Sequence, residues 1–159
     1  MTNSKRSDVP RRFFSKDEQQ HIVEAIGAAE LQTSGEIRFH IERDVPNKDP
    51  IAGDAYLQGR EVFAKLGMHA TEAHNGVLVY MAVRSRKFAV VGDEELHRRV
   101  GDDFWKDIVE TMRQHFAQDL FGEGIAAGVL QIGESLREHF PYQSDDVNEL
   151  SDEISFNEE

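Results

Sequence analysis

The chain contains no cysteine. Disulfides, thiolate metal sites and cysteine nucleophiles are therefore excluded. It has four prolines and a single tryptophan among 159 residues. No apolar run approaches the ~20 residues needed to span a bilayer, and the first residues are polar, without the apolar core of a signal peptide. The expectation is a cytoplasmic protein with no membrane insertion. Positive charge is also scarce. Eighteen Lys and Arg face thirty Asp and Glu, for a formal net charge of -12. Such a chain repels phosphate backbones, so no general nucleic-acid binding is expected, and cations or basic partners fit better.

The charge is unevenly spread. Asp145, Asp146, Glu149, Asp152, Glu153, Glu158 and Glu159 lie in the last sixteen residues, with no Lys or Arg among them. Lys5, Arg6, Arg11, Arg12 and Lys16 lean the other way at the start. The length suits one domain with a sizeable core. The reading is a flexible basic arm over 1–12, a domain over 13–142 and an acidic tail over 143–159. Val147, Leu150, Ile154 and Phe156 interrupt the tail's acids, which predicts that part of it folds back on the domain or that it engages a basic protein partner.

Periodicity supplies the elements. Ser15 and Glu18 form a capping box before a helix whose apolar face is Ile22, Val23, Ile26 and Ala29. Ile37, Phe39 and Ile41 alternate with Glu36, Arg38, His40 and Glu42, a strand with one buried and one wetter face. Ala55, Gly59, Val62, Phe63 and Leu66 mark a second helix closed by Gly67. Val77 to Val83 is apolar on both faces, the pattern of a central strand. Strand–helix–strand implies a parallel pair with a right-handed crossover. Phe88 to Val91 returns antiparallel after Arg84-Ser85-Arg86. A short helix over 93–100 and two longer ones follow, the first on Phe104, Ile108, Met112 and Phe116, the second on Ile125, Val129, Ile132 and Leu136. Phe121-Gly122-Glu123-Gly124 reads as the turn between them. The fold class is α/β: a small mixed sheet of three to four strands with helices on both faces, an α-β-α sandwich.

This topology gathers the start of strand 1, the start of strand 2 and the end of strand 3 at one rim. Glu36, Asn75, Asp93 and Glu94 fall there, and Asp102 or Asp103 approach it. Calcium and similar hard cations take six to eight oxygens from carboxylates, carbonyls and water, which these residues could offer. Asp93 and Glu94 equally fit the first turn of a helix, where the dipole favours acids. His69 and His74 flank a loop but match no zinc spacing. His40 reads as solvent-facing, and the other histidines as exposed helical residues. The Arg84-Ser85-Arg86-Lys87 turn could hold an anion or simply aid solubility. No Gly-x-Ser-x-Gly elbow, phosphate-binding Gly-x-x-x-x-Gly-Lys-Ser/Thr loop or Gly-x-Gly-x-x-Gly fingerprint occurs.

Thr33-Ser34-Gly35-Glu36-Ile37, His74-Asn75-Gly76-Val77-Leu78-Val79 and Arg86-Lys87-Phe88-Ala89-Val90-Val91-Gly92, in this order, resemble the TPM domain of thylakoid-lumen phosphatase proteins. Trp105-Lys106-Asp107-Ile108 and Gly124-Ile125-Ala126-Ala127-Gly128 resemble its helical half, and the tail is similar to that of a small soluble bacterial subgroup. The resemblance implies an α-β-α sandwich. It also implies binding of calcium or another divalent cation, and weak acid phosphatase activity on phosphomonoesters. For such a reaction the rim residues themselves, not the resemblance, offer His74 or a carboxylate such as Asp93 as base. Glu36, Asn75, Gly76 and Gly92 match the family pattern. Gly92-Asp93-Glu94 replaces its usual Gly-aromatic-Gly.

Overall fold

The structure is a computed structural model and describes residues 6–142 and 152–157. The acids Asp145, Asp146 and Glu149 lie outside the described residues.

The chain enters through α1 (Pro10–Phe13) and α2 (Lys16–Glu30). Ser15 Oγ accepts from the Glu18 amide at 3.1 Å, and the Glu18 carboxylate accepts from the Ser15 amide at 2.8 Å. Residues 6–12, assigned by composition to a flexible arm, instead pack on the domain. Proline suits the first turn of a helix, and Phe13 and Phe14 are buried. The Arg6 guanidinium donates to both Glu18 carboxylate oxygens, at 2.8 and 2.7 Å. Apolar anchors and a bidentate ion pair outweigh the basic composition of this segment.

A four-stranded mixed sheet follows, in the order β3-β2-β1-β4. Strand β1 (Glu36–Glu42) lies parallel to β2 (Gly76–Ala82), with Glu36 beside Gly76. Strand β3 (Lys87–Gly92) returns antiparallel, with Gly92 opposite Val77. Strand β4 (Ser155–Asn157) comes from the acidic tail and runs parallel to β1, with Ser155 beside His40. Every residue of β2 is buried, as its unbroken apolar run predicts.

Alternation along the strands divides the core. Ile37, Phe39, Ile41, Val77, Val79 and Met81 join α2, α5 (Asp103–Phe116) and α6 (Phe121–Leu136) on one face. On the other, Leu78, Tyr80, Ala82, Ala89 and Val91 meet Val62 and Phe63 of α3 (Ala55–Lys65). The short α4 (Glu94–Val100) closes the end of β3 and buries Leu96. The α-β-α sandwich is thus the observed fold.

One boundary differs. Phe121 to Gly124 is the first turn of α6, not a loop. The glycines admit neighbours. An ideal Cβ on Gly124 would sit 2.7 Å from the Phe116 ring, and one on Gly133 would sit 2.8 Å from the Ala29 carbonyl oxygen. Here glycine marks close approach of helices rather than a break.

Candidate functional site

The rim predicted by topology exists. The Asp93 amide donates to the Gly76 carbonyl at 2.9 Å, and the Glu36 amide to the Asn75 carbonyl at 3.4 Å. Asn75 is buried and donates through Nδ2 to the Ser34 carbonyl at 3.2 Å. Gly92 is required at the end of β3, because a Cβ there would lie 2.6 Å from the Trp105 ring.

Asp93 sits at the centre. It is the N-cap of α4, with Oδ1 accepting from the Glu95 amide at 3.0 Å. Its side chain is only 6% exposed. Oδ2 is buried and has no hydrogen-bond partner among the described residues. His74 Nδ1 lies 3.7 Å from that oxygen. A buried carboxylate oxygen without a hydrogen bond is costly, and the helix cap uses only the other oxygen.

Asp93 lines a cavity of about 430 Å³. Phe63, Ala64 and Val91 form apolar wall, while Arg60, Arg98, Glu94 and Glu95 carry its charge beside His69 and His74. Arg60 pairs with Glu94, and Arg98 with Glu95 at 3.1 Å.

The six predicted oxygen donors divide between separate places. Asp93 and Glu94 share this cavity. The Glu36 and Asn75 side chains are buried and are not among its walls. Asp102 lines a second cavity of about 630 Å³ beside Trp105, where it pairs with His97 at 3.0 Å. Asp103 pairs with Lys106 at 2.9 Å. Among the described residues, no three His, Cys, Asp or Glu side chains are grouped so as to hold a metal ion. Backbone pairing brings the strand ends together, but the six side chains do not share one cavity.

A polar cluster escaped the sequence reading. Glu42 is 5% exposed. It accepts from Tyr80 Oη at 2.6 Å, from Gln58 Nε2 at 3.1 Å and from Asn157 Nδ2 at 3.1 Å. His40 Nε2 lies 3.4 Å away, while His40 Nδ1 contacts Ser155 Oγ at 2.8 Å. His40, expected to meet solvent, is buried by β4 and the Tyr80 ring that stacks beside it. Burial by itself would raise the Glu42 carboxyl. The contacts from His40, Tyr80, Gln58 and Asn157 together outweigh it and hold the carboxyl below its ordinary value. The signal available in the sequence was Tyr80, whose hydroxyl needs a partner inside an apolar strand.

Sheet order, layers and rim define a small α-β-α sandwich with a ligand-sized cavity at its strand ends. The chain belongs to the TPM domain family, whose model matches residues 9–135. It is similar in structure to the BA42 protein of the psychrophilic bacterium Bizionia argentinensis, solved by NMR, with a TM-score of 0.83 and 36% identity. That likeness covers 92% of this chain and 97% of the other. The N-terminal domain of a P. gingivalis protein, also an NMR structure, shares the fold at a TM-score of 0.61 and 16% identity, over 82% of each chain. No curated protein matches. Among the described residues no helix is long and apolar enough to cross a membrane.

Proposed function

We propose that this TPM domain is a divalent-cation-binding accessory module, with calcium or a similar hard cation held at the rim by Asp93. The observation that carries this reading is Asp93 Oδ2, buried, without a hydrogen-bond partner among the described residues, in the wall of an open cavity. The donor set is small: one buried carboxylate oxygen and the exposed carboxylate of Glu94. The remaining oxygens of a six- to eight-coordinate ion would be carbonyls and water, which suits the weak class of sites, with Kd on the order of 10⁻⁴–10⁻³ M. Asp145, Asp146 and Glu149 would add a basic protein partner to the accessory role, bound less tightly as salt rises.

Calcium titration followed by residue-resolved NMR tests the cation. Shifts are expected at Gly76, Gly92, Asp93 and Glu94, saturating near ~10 mM for a site of that class. Mass action at tenfold saturation gives about 1.4 kcal/mol of stability, or a rise of ~3–6 °C in Tm for a domain of this size. Asp93→Asn keeps an N-cap residue and should abolish both effects. No rim shifts in the wild-type protein would end the proposal.

A second reading is a weak acid phosphatase acting on phosphomonoesters. It is favoured by His74 lying 3.7 Å from Asp93 Oδ2, with Arg60 and Arg98 in the same cavity. The arginines would bind phosphoryl oxygens, and His74 would take a proton from the attacking water. A bound cation would supply polarisation of the phosphoryl group. Aryl phosphate turnover that falls ~10²-fold or more in His74→Gln and is lost in Asp93→Asn would support this reading. Turnover surviving both substitutions would place the activity elsewhere.

A further inference from the structure

The C-terminal segment is held by two sets of polar contacts, and one of them joins two acids. Glu30 closes α2 and accepts the Ile37 amide of β1 at 3.0 Å. Its carboxyl also makes a hydrogen bond with the Asp152 carboxyl. Asp152 passes close over α2, where an ideal Cβ on Gly27 would lie 3.9 Å from its Oδ2. Three residues later the chain becomes β4 and completes the edge of β1. Two carboxyl groups hydrogen-bond each other only while one keeps its proton.

We propose that residues 152–157 are a proton-controlled clasp, in which the Glu30–Asp152 pair holds β4 against β1 in acid and loosens it as the solution becomes alkaline. Its two acids are not among the walls of the Asp93 cavity, so its test stands apart from that of the cation. Burial first, then the Asp152 hydrogen bond, pushes the Glu30 carboxyl up to about 9. The charge of Glu36 acts in the same direction, and the Ile37 amide opposes it. The docked form therefore holds its proton more tightly than the undocked form. Docking is strongest below the ordinary value of 4.5 and weakens progressively as pH rises towards about 9.

Other charged groups face the same segment. Arg11 of α1 lies 4.5 Å over the Phe156 ring. Lys16 of α2 and Glu153 line the groove beside β4. His40 and Glu42 of β1 meet Ser155 and Asn157. His40 contacts Ser155 of the same strand and lies 3.4 Å from Glu42, so its substitution serves as the control.

Backbone amide exchange of the full chain, measured by NMR and corrected for intrinsic rates, tests the clasp. Protection of the β4 amides should fall at least about tenfold from pH 5 to pH 8, within the limit of tenfold per pH unit for one proton. Amides at the centre of β1 and β2, such as Phe39 and Val79, should keep their protection. Glu30→Gln can still accept from Ile37 and can donate to Asp152 without a titrating proton, so its β4 protection should stay flat with pH. Asp152→Asn, on the half-buried tail side, should lessen the pH dependence, since Glu30 stays buried, and leaves the α2–β1 contact intact. His40→Gln should keep the wild-type dependence. Flat protection in the wild-type protein, or a dependence removed by His40→Gln and kept in Glu30→Gln and Asp152→Asn, overturns the clasp.

Discussion

The two carboxylate oxygens of Asp93 have different surroundings. One caps α4, while the other has no hydrogen-bond partner among the described residues and lies 3.7 Å from His74. The cap and cation-ligand readings of this residue therefore need not compete. Glu42 is the opposite case, a buried carboxylate with several donors. Its depressed carboxyl contributes stability above the ordinary value of 4.5, and that contribution is lost as pH falls through the depressed value. Tyr80→Phe removes the 2.6 Å donor from this acid. The expected cost is about 1.5–3 kcal/mol, because the bond is to a charged buried group. The variant should also unfold at a higher pH than the wild type on acid titration. Equal stability by urea denaturation near neutrality would mean that the hydroxyl is dispensable.

Elements were legible where periodicity stood alone and illegible where one residue type serves two purposes. The run from Val77 to Val83 is apolar on both faces, and the alternation from Glu36 to Glu42 is regular, so β1, β2 and their parallel crossover could be read directly. The rim followed from those directions. The placing of its side chains did not, because strand pairing fixes backbones alone, and Glu36, Asn75 and Asp102 are not among the walls of the Asp93 cavity. Glycine in α6 misled for a physical reason: it ends helices by its backbone freedom but also thins them for packing. Gly133→Ala tests the second use. Alanine gains ~1 kcal/mol in helix propensity. Its Cβ would meet the Ala29 backbone, with Cα at 2.9 Å, which cannot rotate away. Net destabilisation of up to about 2 kcal/mol is expected once overpacking is included, measured as a lower urea midpoint. A gain in stability would show that α2 and α6 can separate freely.

At the scale of the molecule, a chain of net charge -12 places some of its acids in unusually close company. Composition marked the last sixteen residues as an acidic tail. Ile154 and Phe156 hinted that it returns to the domain, but Ser155 and Asn157 carried no visible sign that they meet His40 and Glu42. Those contacts depend on β1, more than a hundred residues away in sequence, and no local pattern encodes them. The pH response proposed for the clasp belongs to this scale, since it joins α2, β1 and the C-terminal segment. The other end of the sheet holds a different opportunity. The chain's only indole, Trp105, rests on Gly92 one residue before Asp93 and donates to His97 at 3.0 Å. Excited selectively, it is a native optical reporter whose emission tracks the surroundings of the strand ends without any added dye.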